Sequence, residues 1–191
     1  MTEQVPKAIS NLRLRKAFKD LAVDIMDCIT RSDSDPVYVV DDDIEKISRF
    51  ATKEEVEPGG FTAYNPHYID LYLLAIDHKL LDSIPGGIAD CALFSTAKFS
   101  FIEFKTHAEG RTLHSVEETY QGAINQIENT IRIFERHLVS VKIDFLEQVE
   151  VIPHIVVSPK FPRSSVMEQQ YMVEFFDRNQ LELSFEDFSY F

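Results

Sequence analysis

The chain has 191 residues, of which 45% are apolar, and it carries a formal net charge of −13. This length and apolar fraction are sufficient for a domain with a sizeable core, and they exclude a disordered chain. The net charge disfavours generic binding to nucleic acid, because a polyanion repels an acidic protein.

Nothing in the sequence indicates a membrane segment or a metal site built on cysteine. No apolar run approaches 18 residues, and the N-terminus has no hydrophobic stretch, so we expect a cytoplasmic protein without membrane contact. Cys28 and Cys91 are far apart, which favours free thiols in the core. We expect a single domain over 1–191, with a helical N-terminal part (1–64), a core that bears the motif (about 65–160) and a C-terminal extension (161–191).

The first part of the chain predicts mainly helix. Residues 14–29, LRKAFKDLAVDIMDCI, have apolar side chains at helical spacing and predict an amphipathic helix. Residues 65–81, NPHYIDLYLLAIDHKLL, are ambiguous. Asn65 and Pro66 suit the start of a helix, whereas the dense Tyr, Ile and Leu content suits strands; we favour a helix.

The middle of the chain predicts a hairpin, a long helix and a further strand. The β-rich runs IADCALF (88–94) and FSFIEFKT (99–106) flank the four residues STAK. Residues 115–138 have one apolar stripe, and Ser115 with Glu118 forms a predicted capping box. Residues 149–159 predict another strand. This order indicates an α/β fold with a mixed sheet.

Two charged residues interrupt the second run of the hairpin. Glu103 and Lys105 lie on the same face of the strand, about 7 Å apart, and Asp90 in the partner strand would lie across from them. Two converging carboxylates suit a hard divalent cation, and the lysine could position a water, stabilise a phosphorane or offset the negative charge. The alternative is a structural ion pair between Glu103 and Lys105.

The residues GGIAD (86–90) and FIEFK (101–105), followed by a helix, resemble the PD-(D/E)XK nuclease superfamily. The resemblance implies a restriction-endonuclease-like αβββαβ core and hydrolysis of phosphodiester bonds with Mg²⁺ or Mn²⁺. It implies that Asp90 and Glu103 hold the metal and that Lys105 is catalytic. Ala89 stands where the motif name has Pro.

The resemblance also implies a polar residue on the helix beside the metal and often an additional acid on the first helix. Gln121 is the best match for the polar residue, with Gln126 second. The additional acid stays open among Asp20, Asp24, Asp70 and Asp77.

Local positive charge is concentrated at the N-terminus. Residues 1–19 hold five Lys or Arg and one Glu, so Arg13, Arg15, Lys16 and Lys19 could contact phosphates if this segment folds beside the motif. The alternative is a solvated helix face. The expected partner is nucleic acid, with DNA favoured over RNA, and a homodimer or a protein partner stays open. The net charge motivates a rival function, in which a catalytically degenerate nuclease fold acts as a binding module or complex subunit.

Overall fold

The computed structural model describes residues 5–56, 59–82, 84–109 and 112–191, which form two β-sheets flanked by helices. The α-helices are α1 (Lys7–Asn11), α2 (Leu14–Ala17), α3 (Lys53–Val56), α4 (Leu113–Ser140), α5 (Phe145–Gln148) and α6 (Ser165–Asn179), with a 3-10 helix at Ile25–Cys28. The strands are β1 (Ile29–Ser32), β2 (Val37–Asp42), β3 (Ile47–Ala51), β4 (Phe61–Tyr64), β5 (Leu71–Ala75), β6 (Cys91–Phe94), β7 (Lys98–Lys105), β8 (Glu150–Val151), β9 (His154–Val157) and β10 (Phe188–Tyr190). The predicted α/β class is confirmed.

The larger sheet contains the predicted hairpin. Its order is β1-β5-β6-β7, and β8 and β9 follow one another along the outer edge of β7. In this sheet β1, β5, β6 and β7 are successive antiparallel neighbours, whereas β8 and β9 run parallel to β7. The predicted mixed sheet is therefore confirmed, and β7 lies between β6 on one side and β8 and β9 on the other.

Side chains cover β7 on both faces. On one face, Phe99 and Phe101 contact the ring of Phe134 from α4, with centroids 5.8 and 5.1 Å apart. On the other face, Ile102 and Phe104 join the apolar layer between the two sheets. The smaller sheet, in the order β10-β4-β2-β3, supplies the opposite side of that layer. This double coverage is the reason that the second run of the hairpin is almost entirely apolar.

The prediction of a helical N-terminal part is wrong for most of residues 18–64, which contain, where the structure describes them, four strands, the 3-10 helix and the short α3. The helix predicted at 14–29 ends at Ala17, and the 3-10 helix and β1 follow it. Asp24 caps the 3-10 helix, because its Oδ1 accepts the N–H of Met26 at 3.0 Å. The strands β1 to β4 occupy most of residues 29–64. The strand β1 pairs with β5 in the larger sheet, whereas β2 pairs with β3 and β4 in the smaller sheet.

The helix favoured at 65–81 is also wrong, because this region contains β5. Asn65 does not begin a helix: its Oδ1 accepts the N–H of Ile69 at 3.0 Å, and its Nδ2 donates to the carbonyl of the same residue at 2.9 Å. Every residue of Leu71–Ala75 is buried. Full burial in a strand gives a continuous apolar run, which has no alternation to distinguish it from a buried helix.

The long helix is confirmed, but its cap differs from the prediction. Thr112 is the N-cap residue, and its Oγ1 accepts the N–H of Ser115 at 3.1 Å while Ser115 Oγ accepts the N–H of Thr112 at 2.9 Å. The capping box therefore joins Thr112 and Ser115 and not Ser115 and Glu118. Among the described residues, no helix is both long and apolar enough to span a bilayer.

We expect Phe134→Ala to lower the free energy of unfolding by about 3–5 kcal/mol, because the buried ring would leave a cavity between α4 and β7. Phe134 is completely buried, whereas Val139 on the same helix is 65% exposed. Val139→Ala is the matched control and should change stability by less than about 0.5 kcal/mol. Urea unfolding of both variants measures the difference, and equal effects would contradict the packing described here.

Candidate active site

The end of the β6–β7 hairpin brings three of the predicted site residues together. Cys91 pairs with Ile102 in the antiparallel ladder, so the same register places Asp90 opposite Glu103. Asp90 Oδ2 accepts the backbone N–H of Phe104 at 2.6 Å, and Lys105 Nζ lies 2.5 Å from Glu103 Oε1. The register and these contacts place Asp90, Glu103 and Lys105 at the same end of the hairpin.

Glu103 is a buried acid with one oxygen in an ion pair and one without a partner. The residue is only 1% exposed. Its Oε2 is buried and, within the described part of the chain, makes no hydrogen bond. Burial raises the pKa of Glu103 to about 7, even though Lys105 acts in the opposite direction. A proton or a cation at this buried oxygen would therefore stabilise it.

Asp90, like Glu103, has a carboxyl group whose pKa is raised by burial. Burial raises the pKa of Asp90 well above its ordinary range, and the negative charges of Glu103 and Asp41 add to this effect. The hydrogen bond from the N–H of Phe104 opposes the increase. Two neighbouring carboxylates repel each other, so a proton or a bound cation would stabilise the pair.

Gln126 from α4 holds Lys105 in place. Lys105 Nζ donates to Gln126 Oε1 at 2.7 Å, and Gln126 Nε2 donates to the carbonyl of Ile88 at 3.1 Å. Gln121 is exposed, and its amide donates to Asn125 Oδ1 at 3.0 Å. The structure therefore corrects the first choice on the helix: Gln126 and not Gln121 contacts Lys105. We refer to Asp90, Glu103, Lys105 and Gln126 as the Glu103 site.

The two glutamines differ in the burial of their neighbours on α4. The i−3 and i+4 neighbours of Gln126 are Ala123 and Thr130, which are both buried, so Gln126 lies on the side of α4 that meets the sheet. The i+4 neighbour of Gln121 is the polar Asn125. The sequence alone does not separate the two glutamines, because Ile124, the i+3 neighbour of Gln121, is apolar as well.

Two further residues of α4, which the sequence did not suggest, position the loop before Asp90. Asn129 Nδ2 donates to the carbonyl of Gly87 at 2.7 Å, and Thr130 Oγ1 accepts the N–H of Ala89 at 2.7 Å. Gly87 has a φ of +73°, and a Cβ at this position would lie 2.8 Å from Gln126 Cγ. Glycine is therefore required both by its left-handed backbone and by the close approach of the helix.

Two more acids contribute negative charge to the site. Asp77 follows β5, and its backbone N–H donates to the carbonyl of Asp90 at 3.2 Å. The charges of Asp77 and Asp41 both raise the pKa of Glu103. Of the candidates for an additional acid, Asp24 and Asp70 instead pair with Arg15 and Arg31, at 2.8 and 2.9 Å.

The acids nevertheless do not form a closed metal cage. Across the described ranges, no group of three or more His, Cys, Asp or Glu side chains could hold a metal ion. Two groups of the site could bind a cation. They are the Glu103 oxygen that has no partner among the described residues and the nearby Asp90 carboxylate.

The basic residues of the N-terminus lie away from the Glu103 site. Arg13 donates to the carbonyl of Val141 at 3.0 Å, and Arg15 pairs with Asp24, whereas Lys16 and Lys19 are exposed. Val141 follows the C-terminal end of α4, about 22 Å along the helix axis from Gln126. The condition for a role of this segment, that it folds beside the motif, is therefore not met at Arg13.

Comparison of the chain with family models, curated proteins and solved structures finds no match. The functional inference therefore depends on the chemistry of the Glu103 site and on the hairpin and helix that hold it. The hydrogen bonds and the ion pair of Asp90, Glu103, Lys105 and Gln126 define the site and its attachment to the hairpin and to α4.

We expect Thr130→Val to destabilise the fold by about 1–3 kcal/mol, because the buried N–H of Ala89 would lose its acceptor. Thr119→Val is the matched control, since Thr119 lies on the same helix and its hydroxyl, among the residues that the structure describes, donates only to the Ser115 carbonyl. Urea unfolding should show a change below about 0.5 kcal/mol for the control. Similar losses in the two variants would show that the loop does not depend on Thr130.

The raised pKa of Glu103 predicts a pH-dependent stability. Between the ordinary value of 4.5 and about 7, the folded protein holds a proton that the unfolded chain releases. The resulting stabilisation is complete below the unfolded pKa and is lost as the pH rises through the folded pKa. Relative to Glu103→Gln, which does not titrate, the wild type should lose up to about 3 kcal/mol between about pH 5 and about pH 8. Denaturant unfolding of both proteins across this range measures the difference, and a constant difference would contradict the prediction.

Proposed function

We propose that the protein is a metal-dependent nuclease of the PD-(D/E)XK type, which hydrolyses phosphodiester bonds at the Glu103 site. The observation that carries the proposal is the buried, unpartnered oxygen of Glu103, which lies beside Lys105 and opposite Asp90 on the hairpin. A buried carboxylate oxygen without a partner is costly, and a bound cation would offset that cost.

The order and direction of the strands support this class. The strands β5, β6 and β7 are successive antiparallel neighbours, α4 follows them, and β9 returns parallel to β7. This order is consistent with the βββαβ part of the core that the resemblance implies. The first helix of that core has no counterpart directly before β5, because the described residues between β4 and β5 form a loop.

The residues present fit a hard divalent cation that takes few protein ligands. Mg²⁺ prefers oxygen, retains several waters and is often held by one or two carboxylates together with substrate phosphates. Asp90 and Glu103 would hold Mg²⁺ or Mn²⁺. When bound, such an ion polarises a phosphoryl oxygen and lowers the pKa of a coordinated water.

In this proposal Lys105 acts on the reacting groups. Its ammonium group has three N–H donors, of which Glu103 and Gln126 accept two. Its side chain is 25% exposed, so the third donor can reach an attacking water or a phosphoryl oxygen. Gln126 acts through Lys105 as a positioning residue, because its other amide contact fixes it to the loop before Asp90.

Local charge must attract the substrate, because the chain as a whole is strongly acidic. Lys105 supplies positive charge at the site itself, and a divalent cation would add to it. The class of substrate inferred is nucleic acid, with DNA favoured over RNA because of the resemblance.

A second candidate function is a catalytically degenerate nuclease fold that acts as a binding module or complex subunit. The observations that favour it are the ion pair, which occupies one oxygen of Glu103, and the lack of a third metal-binding side chain among the residues that the structure describes. In this case the ion pair would be structural, and removing Lys105 would leave a buried carboxylate unpaired.

Cleavage assays distinguish the two candidates. Labelled single- and double-stranded DNA and RNA are incubated with the wild type in Mg²⁺, Mn²⁺ or EDTA. We expect cleavage of at least one substrate with metal and none with EDTA. Lys105→Met and Glu103→Gln should each reduce the rate by about 100-fold or more, because each removes a group that acts on the reacting atoms.

The control is Lys142→Met, which removes an exposed lysine that follows α4 at the end far from Gln126 and should leave the rate unchanged. Thermal unfolding with Mn²⁺ provides a readout besides activity, since a cation that binds only the folded state raises the melting temperature. We expect this increase in the wild type and its loss in Asp90→Ala. Full cleavage by Lys105→Met would contradict the nuclease proposal, and so would a wild type that cleaves no substrate with either metal.

A further inference from the structure

A groove separate from the Glu103 site lies between α6 and the C-terminal strand β10. Its volume is about 860 Å³. Lys98, the first residue of β7, lines the groove, whereas Lys105 is the last residue of the same strand. The two residues are about 23 Å apart along the strand. We refer to this feature as the α6 groove.

The sides of the α6 groove are apolar and exposed. Met172, Val173 and Phe176 of α6 line it, and they are 41, 61 and 46% exposed. Phe188 and Tyr190 of β10 line the opposite side, and Tyr190 stacks on Tyr64 with ring centroids 5.0 Å apart. Contiguous exposed apolar surface rimmed by polar groups marks protein interfaces, in which aromatic side chains and Met are enriched.

The base of the groove has an acceptor without a partner. His154 is 2% exposed and lines the groove, and its Nδ1 lies 3.1 Å from the carbonyl of Glu186. That contact requires a proton on Nδ1, so Nε2 is the acceptor of a neutral ring. Nε2 is buried and makes no hydrogen bond within the described part of the chain.

The charge around the groove is acidic. Residues 164–191 contain six Asp or Glu and one Arg, and that arginine, Arg178, pairs with Glu128. Of the other basic groups at the groove, Arg163 pairs with Glu168, and Lys98 donates to Ser189 Oγ and to the Tyr190 carbonyl. Glu182 and Glu186 also line the groove. A second copy of the chain would bring the same acidic surface, so charge complementarity favours a basic partner.

We propose that the α6 groove binds a short segment of another protein that carries apolar side chains next to Lys or Arg. The apolar side chains would contact Val173, Phe176 and Tyr190, and the basic groups would face the acidic rim. Because the groove and the Glu103 site lie at opposite ends of β7, such a partner would leave the Glu103 site open. This proposal does not rest on nuclease activity.

Selection from a phage-displayed library of random peptides tests the proposal. We expect wild-type protein to enrich peptides that combine apolar residues with Lys or Arg. A synthetic copy of an enriched peptide should bind at least tenfold more weakly to Val173→Asp, as measured by fluorescence anisotropy, and more weakly at high salt. Val139→Asp is the matched control: Val139 is 65% exposed on α4, and its substitution should change the affinity by less than twofold.

Several results would overturn the proposal. They are the absence of enriched peptides, enrichment of acidic peptides, and equal binding to wild type and Val173→Asp when circular dichroism shows both to be folded. Sedimentation tests the alternative occupant, because a dimer that Val173→Asp dissociates would assign the groove to a second copy. Cleavage and peptide binding are measured separately, so loss of one does not imply loss of the other.

Discussion

The ion pair between Glu103 and Lys105 is the contact on which the arrangement of the site depends. A carboxylate that is buried on the central strand must be paired, protonated or bound to a cation, because its unpaired burial in an apolar environment is costly. Lys105 is the partner within reach on the same face of β7. Its ammonium group in turn requires acceptors, and Gln126 provides one from α4. The position of the long helix is thereby linked to a charge on the sheet.

Contacts from the same helix also fix the position of Asp90. Three successive polar contacts join α4 to the loop before Asp90, through Gln126, Asn129 and Thr130. Since their acceptors and donors are backbone groups, the loop can approach the helix closely, and Gly87 allows that approach. The carboxyl group of Asp90 then reaches the N–H of Phe104 on the neighbouring strand. Ordered backbone contacts thus hold two acids together although their charges repel each other.

The parts of the fold that the sequence predicted correctly are those with local signals. The hairpin has two β-rich runs around a short turn, and α4 has a long apolar stripe, so both could be located before the structure was known. The strand β10 of the smaller sheet has no such signal, because it pairs in parallel with β4, which lies more than a hundred residues earlier. The strand β5 was misassigned because complete burial removes the alternation that identifies a strand. At the site, strand alternation predicted Asp90, Glu103 and Lys105, whereas choosing Gln126 over Gln121 required knowing which side of α4 meets the sheet.

The absence of a solvent-facing side on β7 restricts how its length can change. Ile102 and Phe104 project toward the smaller sheet, while Phe99 and Phe101 project toward α4. A single-residue insertion or deletion within the strand would exchange the two faces beyond that point. Glu103 and Lys105 would then enter the apolar layer between the sheets, and Phe104 would face Gln126. Related chains that keep this hairpin should therefore vary in length in the turn at residues 95–97 and not within the strand.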